Sequence, residues 1–230
     1  AYALGRERTA DCLEMTRIAF GETDEEFSAQ PAVLAIINTN SPMQLDIPMT
    51  EAVLELAAAK QVSCITPFTL AGSMSPATLA GTLAQQTAEV LAVVTLAQIV
   101  QPGAPVMYGA FASNVDMRSG APALGTPEYT KMALASGQLA RHLGLPFRSS
   151  NTTTSNCVDA QSAYESEMSL WGAVMGHTNL VNHAAGWLEG GLTASFEKLI
   201  VDAEMLQMMA ESLRPILVND DELALDAIAE

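Results

Sequence analysis

The chain has 230 residues, 49% of them hydrophobic, which supplies a sizeable core and excludes an intrinsically disordered protein. Ten Lys and Arg stand against 26 Asp and Glu, a formal charge of −16, so neither a nucleic acid nor an anionic membrane is an expected partner. Cys12, Cys64 and Cys157 are an odd number, widely spaced and without a Cys-x-x-Cys, which points away from a disulfide framework or structural zinc and toward a reducing compartment.

Short apolar runs rich in β-branched residues alternate with longer segments of helical period. The first run, residues 32–38, reads as a buried strand and is followed by a helical stretch over 49–60. A second strand is predicted at 62–66, then a long helix that Ser75 caps, with Pro76 at its first position, ending before Pro102 and Gly103. The apolar part of that helix, Val90 to Val100, is interrupted by Thr95 and Gln98 and is too short to cross a bilayer. The opening residues hold no apolar core of signal-peptide length, and the chain reads as cytoplasmic.

A third strand is expected at 105–111, and Thr126 with Pro127 opens the next helix, which Gly144 and Pro146 stop. The fourth strand, 147–150, runs into the polar loop Asn151 to Asn156 and a helix from about Cys157 to Met175. A fifth strand at 180–186 leads through a glycine-flanked turn into a helix over 195–213, and an acidic amphipathic tail follows. No linker or low-complexity tract interrupts this rhythm, so residues 1–230 read as a single domain.

Strand and helix repeated five times argue for a parallel sheet covered by helices, either a doubly wound open sheet or part of a (β/α)8 barrel. The strand starts at 32, 62, 105, 147 and 180 imply on the order of 300 residues for eight such units, above the ~250 typical of a barrel. A complete barrel does not fit at this pitch. A five-stranded sheet or a partial barrel does.

In either architecture ligands meet the loops that follow the strands. Those loops offer Asn38 to Ser41 and Asp46, then Thr66 and Phe68, then Tyr108, Asn114 and Asp116. Ser150 to Thr154 follow, and finally His183, Trp187 and Glu189. No Gly-x-Gly-x-x-Gly, Walker lysine, His-Glu-x-x-His or Gly-x-Ser-x-Gly appears. What remains is a lining of amides, hydroxyls, carboxylates and rings that suits a small polar ligand, with rings and carboxylates able to hold a positive charge. Structural roles compete with these. His183 also reads as a strand-end core histidine, Asn151 to Asn156 as a helix cap supported by Asp159, Cys64 as a packing thiol, and the 12 methionines as core filler. Cys157, at a helix start, has no second candidate ligand beside it.

The stretches INTNSPMQLD, ITPFTLAGSMSPATLAGTLAQQTAEVLA, SNVDMRSGAPALGTPEY and AAGWLEGGLTASFEKLIVDAEM, in that order, resemble the trimethylamine methyltransferase family, which includes trimethylamine:corrinoid and glycine betaine:corrinoid methyltransferases. The resemblance runs through nearly the whole chain and implies a central fragment of a larger (β/α)8 barrel, present as about five βα units. It further implies methyl transfer from a methylated amine to the Co(I) of a corrinoid carried by a cognate partner protein, with no cofactor bound tightly by the chain and no metal site. The sequence contains only standard residues, which resembles the branch without pyrrolysine, of which glycine betaine methyltransferase is an example.

For a quaternary amine the chemistry asks mainly for positioning and water exclusion. By position at strand ends, His183 and Glu189 are the catalytic candidates, and Asn40, Asp46, Tyr108, Asn151 and Trp187 the substrate-binding ones. Trp187, Tyr108, Glu189 and Asp46 would hold the cation, while His183 and Asn40 would orient a carboxylate. A homo-oligomer is expected because a partial barrel leaves sheet edges to cover. A module that binds methylated amines or docks a corrinoid protein without turnover is the competing class.

Overall fold

The computed structural model describes residues 4–21 and 23–229. Two helices with no counterpart in the sequence reading come first, α1 (Gly5–Phe20) and α2 (Asp24–Ala29). The sheet strands are β1 (Leu34–Ile37), β2 (Val62–Ile65), β3 (Val106–Gly109), β4 (Phe147–Ser150) and β5 (Leu180–Asn182). All pair in parallel, each with the next in chain order. This order decides between the two architectures. A doubly wound sheet reverses its direction of growth at a switch point, whereas here every crossover steps the same way. Right-handed crossovers then place all the helices on one face and leave the other as the inside of a half-barrel.

The connecting helices are α3 (Ile47–Ala58), α4 (Leu79–Val100), α5 (Pro127–His142) and α6 (Ala160–Met175), with α7 (Phe196–Ser212) after β5. Ala35, Ile37, Ile65, Tyr108 and Phe147 from the strands meet Ala52, Val53, Leu56, Val90 and Val93 from α3 and α4 in one core. Strand alternation thus divides each strand, odd positions of β1 going to the helix layer and Ile36 to the inside.

Several element starts differ from the sequence reading. Ser75 does not cap α4: it bridges to Ala71 and its hydroxyl lies 2.8 Å from that of Thr82, and the helix begins three residues later than expected, at Leu79 with Thr78 as cap. At Leu79–Val100 that helix is long and apolar enough by length and composition to cross a membrane, contrary to the shorter run read from sequence. It lies along the sheet as a core helix, and its inward face carries Gln86 and Glu89, both bonded to neighbouring elements. The helix expected from Cys157 starts at Ala160, because Asp159 and Ser162 cap each other's backbone in a capping box. The fifth strand stops at Asn182, since His183 takes a left-handed φ of 54° that ends the pleat.

Short strands decorate the mouth of the half-barrel. Leu70–Ala71, Ser113–Val115 and Pro122–Ala123 form a three-stranded sheet, and Trp187–Leu188 pairs with Thr193–Ala194 as a hairpin.

Candidate active site

At the carboxyl ends of the strands lies a cavity of about 220 Å³. From β1 and its extension come Ile36 and Asn38; Thr66 and Phe68 follow β2, and Phe111 follows β3. Arg148 rises from within β4, and His183 and Trp187 come from the turn after β5. Phe68 and Phe111 pack at 5.4 Å, which makes one wall aromatic, and the Trp187 indole supplies another aromatic surface. Gly109 on β3 lets the end of β2 approach closely: a Cβ there would lie 2.1 Å from the Thr66 hydroxyl and 2.7 Å from the Ile65 carbonyl oxygen.

Alternation from β5 would send the ring of His183 to the face opposite Asn182. The left-handed turn at His183 and the φ of 92° at Gly186 instead fold the chain back so that the imidazole stacks on the Trp187 indole at 3.6 Å and 15°. Arg148 is buried, and its Nη2 lies 3.1 Å from Nδ1 of His183. A guanidinium only donates, so Nδ1 accepts and the imidazole proton sits on Nε2. Burial, then the adjacent guanidinium charge, push the His183 pKa down to about 4. The ring is therefore neutral at physiological pH and cannot serve there as a ready acid.

Three buried acidic side chains hold the surrounding loops. Glu89 on α4 accepts from the Thr39 hydroxyl, from Ser41 at 2.8 Å, from the Met43 amide at 2.9 Å and from Gln85 at 3.0 Å. Burial alone would raise its pKa, but these bonds outweigh burial and hold the carboxyl below its ordinary value. Glu165 on α6 plays the matching part after β4, accepting from the Thr153 hydroxyl at 2.6 Å and the Thr154 amide at 2.8 Å. On α7, Asp202 pairs with fully buried Lys198 and accepts from the Gly186 amide at 2.9 Å. Lys198 also donates to the Ser166 hydroxyl at 2.8 Å, so one ion pair ties α7, α6 and the turn that carries Trp187.

Of the seven residues singled out by position, His183 and Trp187 meet in the cavity. Asn151 sits beside it in the fold, buried, with its amide donating to the Ala184 carbonyl at 2.8 Å, a bond that ties the loop after β4 to the turn after β5. The other four point elsewhere. Tyr108 lies on the helix side of β3, wholly buried, with its hydroxyl 3.0 Å from the Gln86 amide and 2.9 Å from the Thr87 hydroxyl. Asp46 caps α3 by accepting from the Met49 amide at 2.8 Å, and Asn40 accepts from the Asp46 amide at 3.0 Å. Glu189 is exposed and accepts from the Thr193 hydroxyl at 2.8 Å. Arg148, not singled out from sequence, is the one formal charge among the described residues that line the cavity. Its signal was a basic residue inside a strand expected to be buried on both faces, in a chain with only ten basic side chains. Among the described residues no group of three or more His, Cys, Asp or Glu is placed to hold a metal ion.

A parallel half-barrel with an aromatic cavity at the carboxyl ends of its strands belongs to the TIM-type class. The family model for trimethylamine methyltransferase matches residues 1–230, and the chain belongs to that family. It is 40% identical over 227 residues to the glycine betaine methyltransferase of Desulfitobacterium hafniense strain Y51, an alignment that covers 98% of this chain and 47% of the relative. It is 32% identical over 211 residues to a trimethylamine methyltransferase of Methanosarcina mazei, covering 91% of this chain and 42% of the relative. A trimethylamine methyltransferase of Desulfitobacterium hafniense is 30% identical over 212 residues. The chain thus spans less than half the length of these relatives.

Proposed function

We propose that the intact protein is a methyltransferase that moves a methyl group from a methylated amine to the Co(I) of a corrinoid carried by a separate protein. The observation that carries this reading is the aromatic cavity at the strand ends, where Trp187, Phe68 and Phe111 offer faces to an N-methylated cation. Two relatives whose names give methylated amines as substrates support it. A quaternary nitrogen needs no proton to leave: the electron pair of the C–N bond returns to nitrogen as the methyl departs, and a neutral amine is released. A neutral His183 is compatible with that requirement, since positioning replaces acid catalysis.

Within this reading Trp187 and the two phenylalanines hold the methylated nitrogen, and His183, locked by Arg148 and Trp187, fixes the ligand's orientation. The decisive test mixes the intact protein, a methylated amine and a reduced corrinoid protein, and follows the cobalt absorption change that accompanies methylation. Substrate-dependent conversion of the Co(I) spectrum is the expected result. Calorimetric binding of methylated amines with no spectral change for any of them and a cognate corrinoid protein would instead assign a binding module.

A further inference from the structure

We propose that Glu165, on α6 and outside the cavity, is a positioning residue for ligand binding, holding the Trp187 ring in place through the loop that follows β4. The inference rests on the reading above that the cavity takes a methylated amine. Glu165 is 6% exposed, and the loop before α5 closes over it: Gly125 has a φ of 74°, and a Cβ there would lie 2.4 Å from the Cβ of Glu165. Burying a carboxylate is costly unless its hydrogen bonds offset the lost hydration. Those bonds converge on three consecutive residues. A single oxygen, Oε2, accepts from the Thr153 hydroxyl at 2.6 Å, the Thr154 amide at 2.8 Å and the Ser155 amide at 3.3 Å.

The same three residues grip the turn after β5 by their other ends. The peptide group between Thr153 and Thr154 donates its N–H to Glu165 and accepts at its carbonyl from the Gly190 amide at 2.8 Å. Two residues on, the Ser155 carbonyl accepts from the Glu189 amide at 2.9 Å. Hydrogen bonds at the two ends of one peptide group polarise each other, so the carboxylate strengthens the hold on Gly190 as well as fixing its direction. What is held does not hold itself. Glu189, Gly190 and Gly191 have φ of 53°, 65° and 94°, a left-handed run whose first member is not a glycine and which persists only where its surroundings determine it. Gly191 packs against Trp187: a Cβ on it would lie 2.8 Å from Cζ3 and 2.9 Å from Cε3 of the indole. Trp187 is thereby fixed from its C-terminal side by Glu165, as Asp202 fixes it from its N-terminal side through the Gly186 amide. The hydrogen bonds of Glu89 go instead to Thr39, Ser41, Met43 and Gln85, outside this relay.

The test is a double-variant cycle in the intact protein, with glycine betaine as the probe and calorimetry as the readout. Proton NMR of the His183 ring accompanies it, since the indole stacked at 3.6 Å shifts the carbon-bound protons of that ring upfield. Glu165→Met keeps the length of the side chain and removes both acceptor oxygens. It should move the His183 signals toward those of Trp187→Ala and weaken binding between about threefold and thirtyfold, the range of a cation–π contact. Added to Trp187→Ala, the same change should cost less than about twofold, because the ring through which it acts is gone. Glu165→Gln keeps one oxygen for the two backbone amides and should fall between Glu165→Met and the unaltered protein in both readouts. Glu89→Met should lower stability yet leave the His183 signals in place, a contrast that a general loosening of the fold cannot produce. Unmoved His183 signals in Glu165→Met, equal displacement by Glu89→Met, or an undiminished loss of affinity in the Trp187→Ala background overturns the proposal. Should Glu165→Met not fold, unmoved signals in Glu165→Gln overturn it in the same way. If the unaltered protein binds no methylated amine, the reading of the cavity falls, and the His183 signals alone decide whether Glu165 sets the ring.

Discussion

The imidazole of His183 lies flat against the indole of Trp187, centroids 3.6 Å apart, while its Nδ1 accepts a hydrogen bond from Arg148. The ring is thus held on two sides, by a π face and by a cation that disfavours its protonation. This arrangement sets both the protonation state of the site and the order in which its parts depend on one another.

The first consequence is a pH dependence. The His183 pKa falls from 6.5 to about 4 in the folded chain, so between those values the unfolded chain binds more protons. Stability from this group is therefore complete above about pH 6.5 and is lost progressively as pH falls to about 4. His183→Gln should flatten that part of the stability profile, measured by urea unfolding at a series of pH values. The imidazole carbon-bound protons should titrate near pH 4 by NMR; a midpoint above 6 would mean that the ring is neither buried nor held beside Arg148 in solution.

Trp187 and Glu189 sit two residues apart in the same turn but differ in role. Trp187→Ala removes an aromatic wall and the support of His183, and should weaken binding of a quaternary ammonium roughly tenfold or more. Trp187→Phe keeps a face and should recover part of the loss. Glu189→Gln, at an exposed carboxylate bonded to Thr193, should change affinity less than about twofold. Calorimetry on the three variants checks this, and equal losses at both positions would place Glu189 in the site after all.

Gly109→Ala probes the packing between β2 and β3. The added methyl would lie 2.1 Å from the Thr66 hydroxyl and 2.7 Å from a backbone carbonyl, so strands or side chain must shift. A destabilisation of about 1–3 kcal/mol is expected from overpacking. Thr66→Ala in the same chain should recover part of it, because the shortest contact, to the hydroxyl oxygen, disappears while those to the Ile65 carbonyl oxygen at 2.7 Å and the residue 66 Cβ at 2.9 Å remain. Denaturant midpoints of the single and double variants measure the coupling.

How far the sequence could be read follows from what each feature depends on. Buried parallel strands announce themselves as apolar runs, which made β1, β2 and β3 legible, and 147–150 matched residue for residue although Phe147 is its one apolar residue. The N-terminal helices were not read, because α1 has Thr9 as its one buried residue and so little apolar periodicity to detect. Position after a strand found His183 and Trp187, but it could not say which way a side chain points. Tyr108 is one pleat away from the inside, and only the register across β2, β3 and β4 places it on the helix side. Arg148 escaped for the converse reason: it lies inside a strand, where a search confined to loops does not look. Glu89, Glu165 and Asp202 were hidden because the loop groups they hold, Thr39 to Met43, Thr153 and Thr154, and the Gly186 amide, are 46–50, 11–12 and 16 residues away in the chain, contacts that only the tertiary fold creates.

The ion pair of Lys198 and Asp202 allows stability and binding to be separated. Both side chains are fully buried, so Lys198→Met or Asp202→Leu alone strands a charge in the interior and should cost about 3–5 kcal/mol. The double variant strands neither charge and should recover most of that loss, as measured by chemical denaturation. It does not restore the acceptor that Asp202 provides to the Gly186 amide, 2.9 Å away in the turn that aims Trp187. Binding of a quaternary ammonium should therefore stay weakened in the double variant even where its unfolding midpoint approaches that of the unaltered chain. Lys198→Met with Asp202→Asn, which keeps a side-chain carbonyl for Gly186, should bind more tightly than the Met and Leu pair at similar stability. Full recovery of affinity together with stability in the Met and Leu pair would show that Asp202 serves the core of the fold and has no part in placing Trp187.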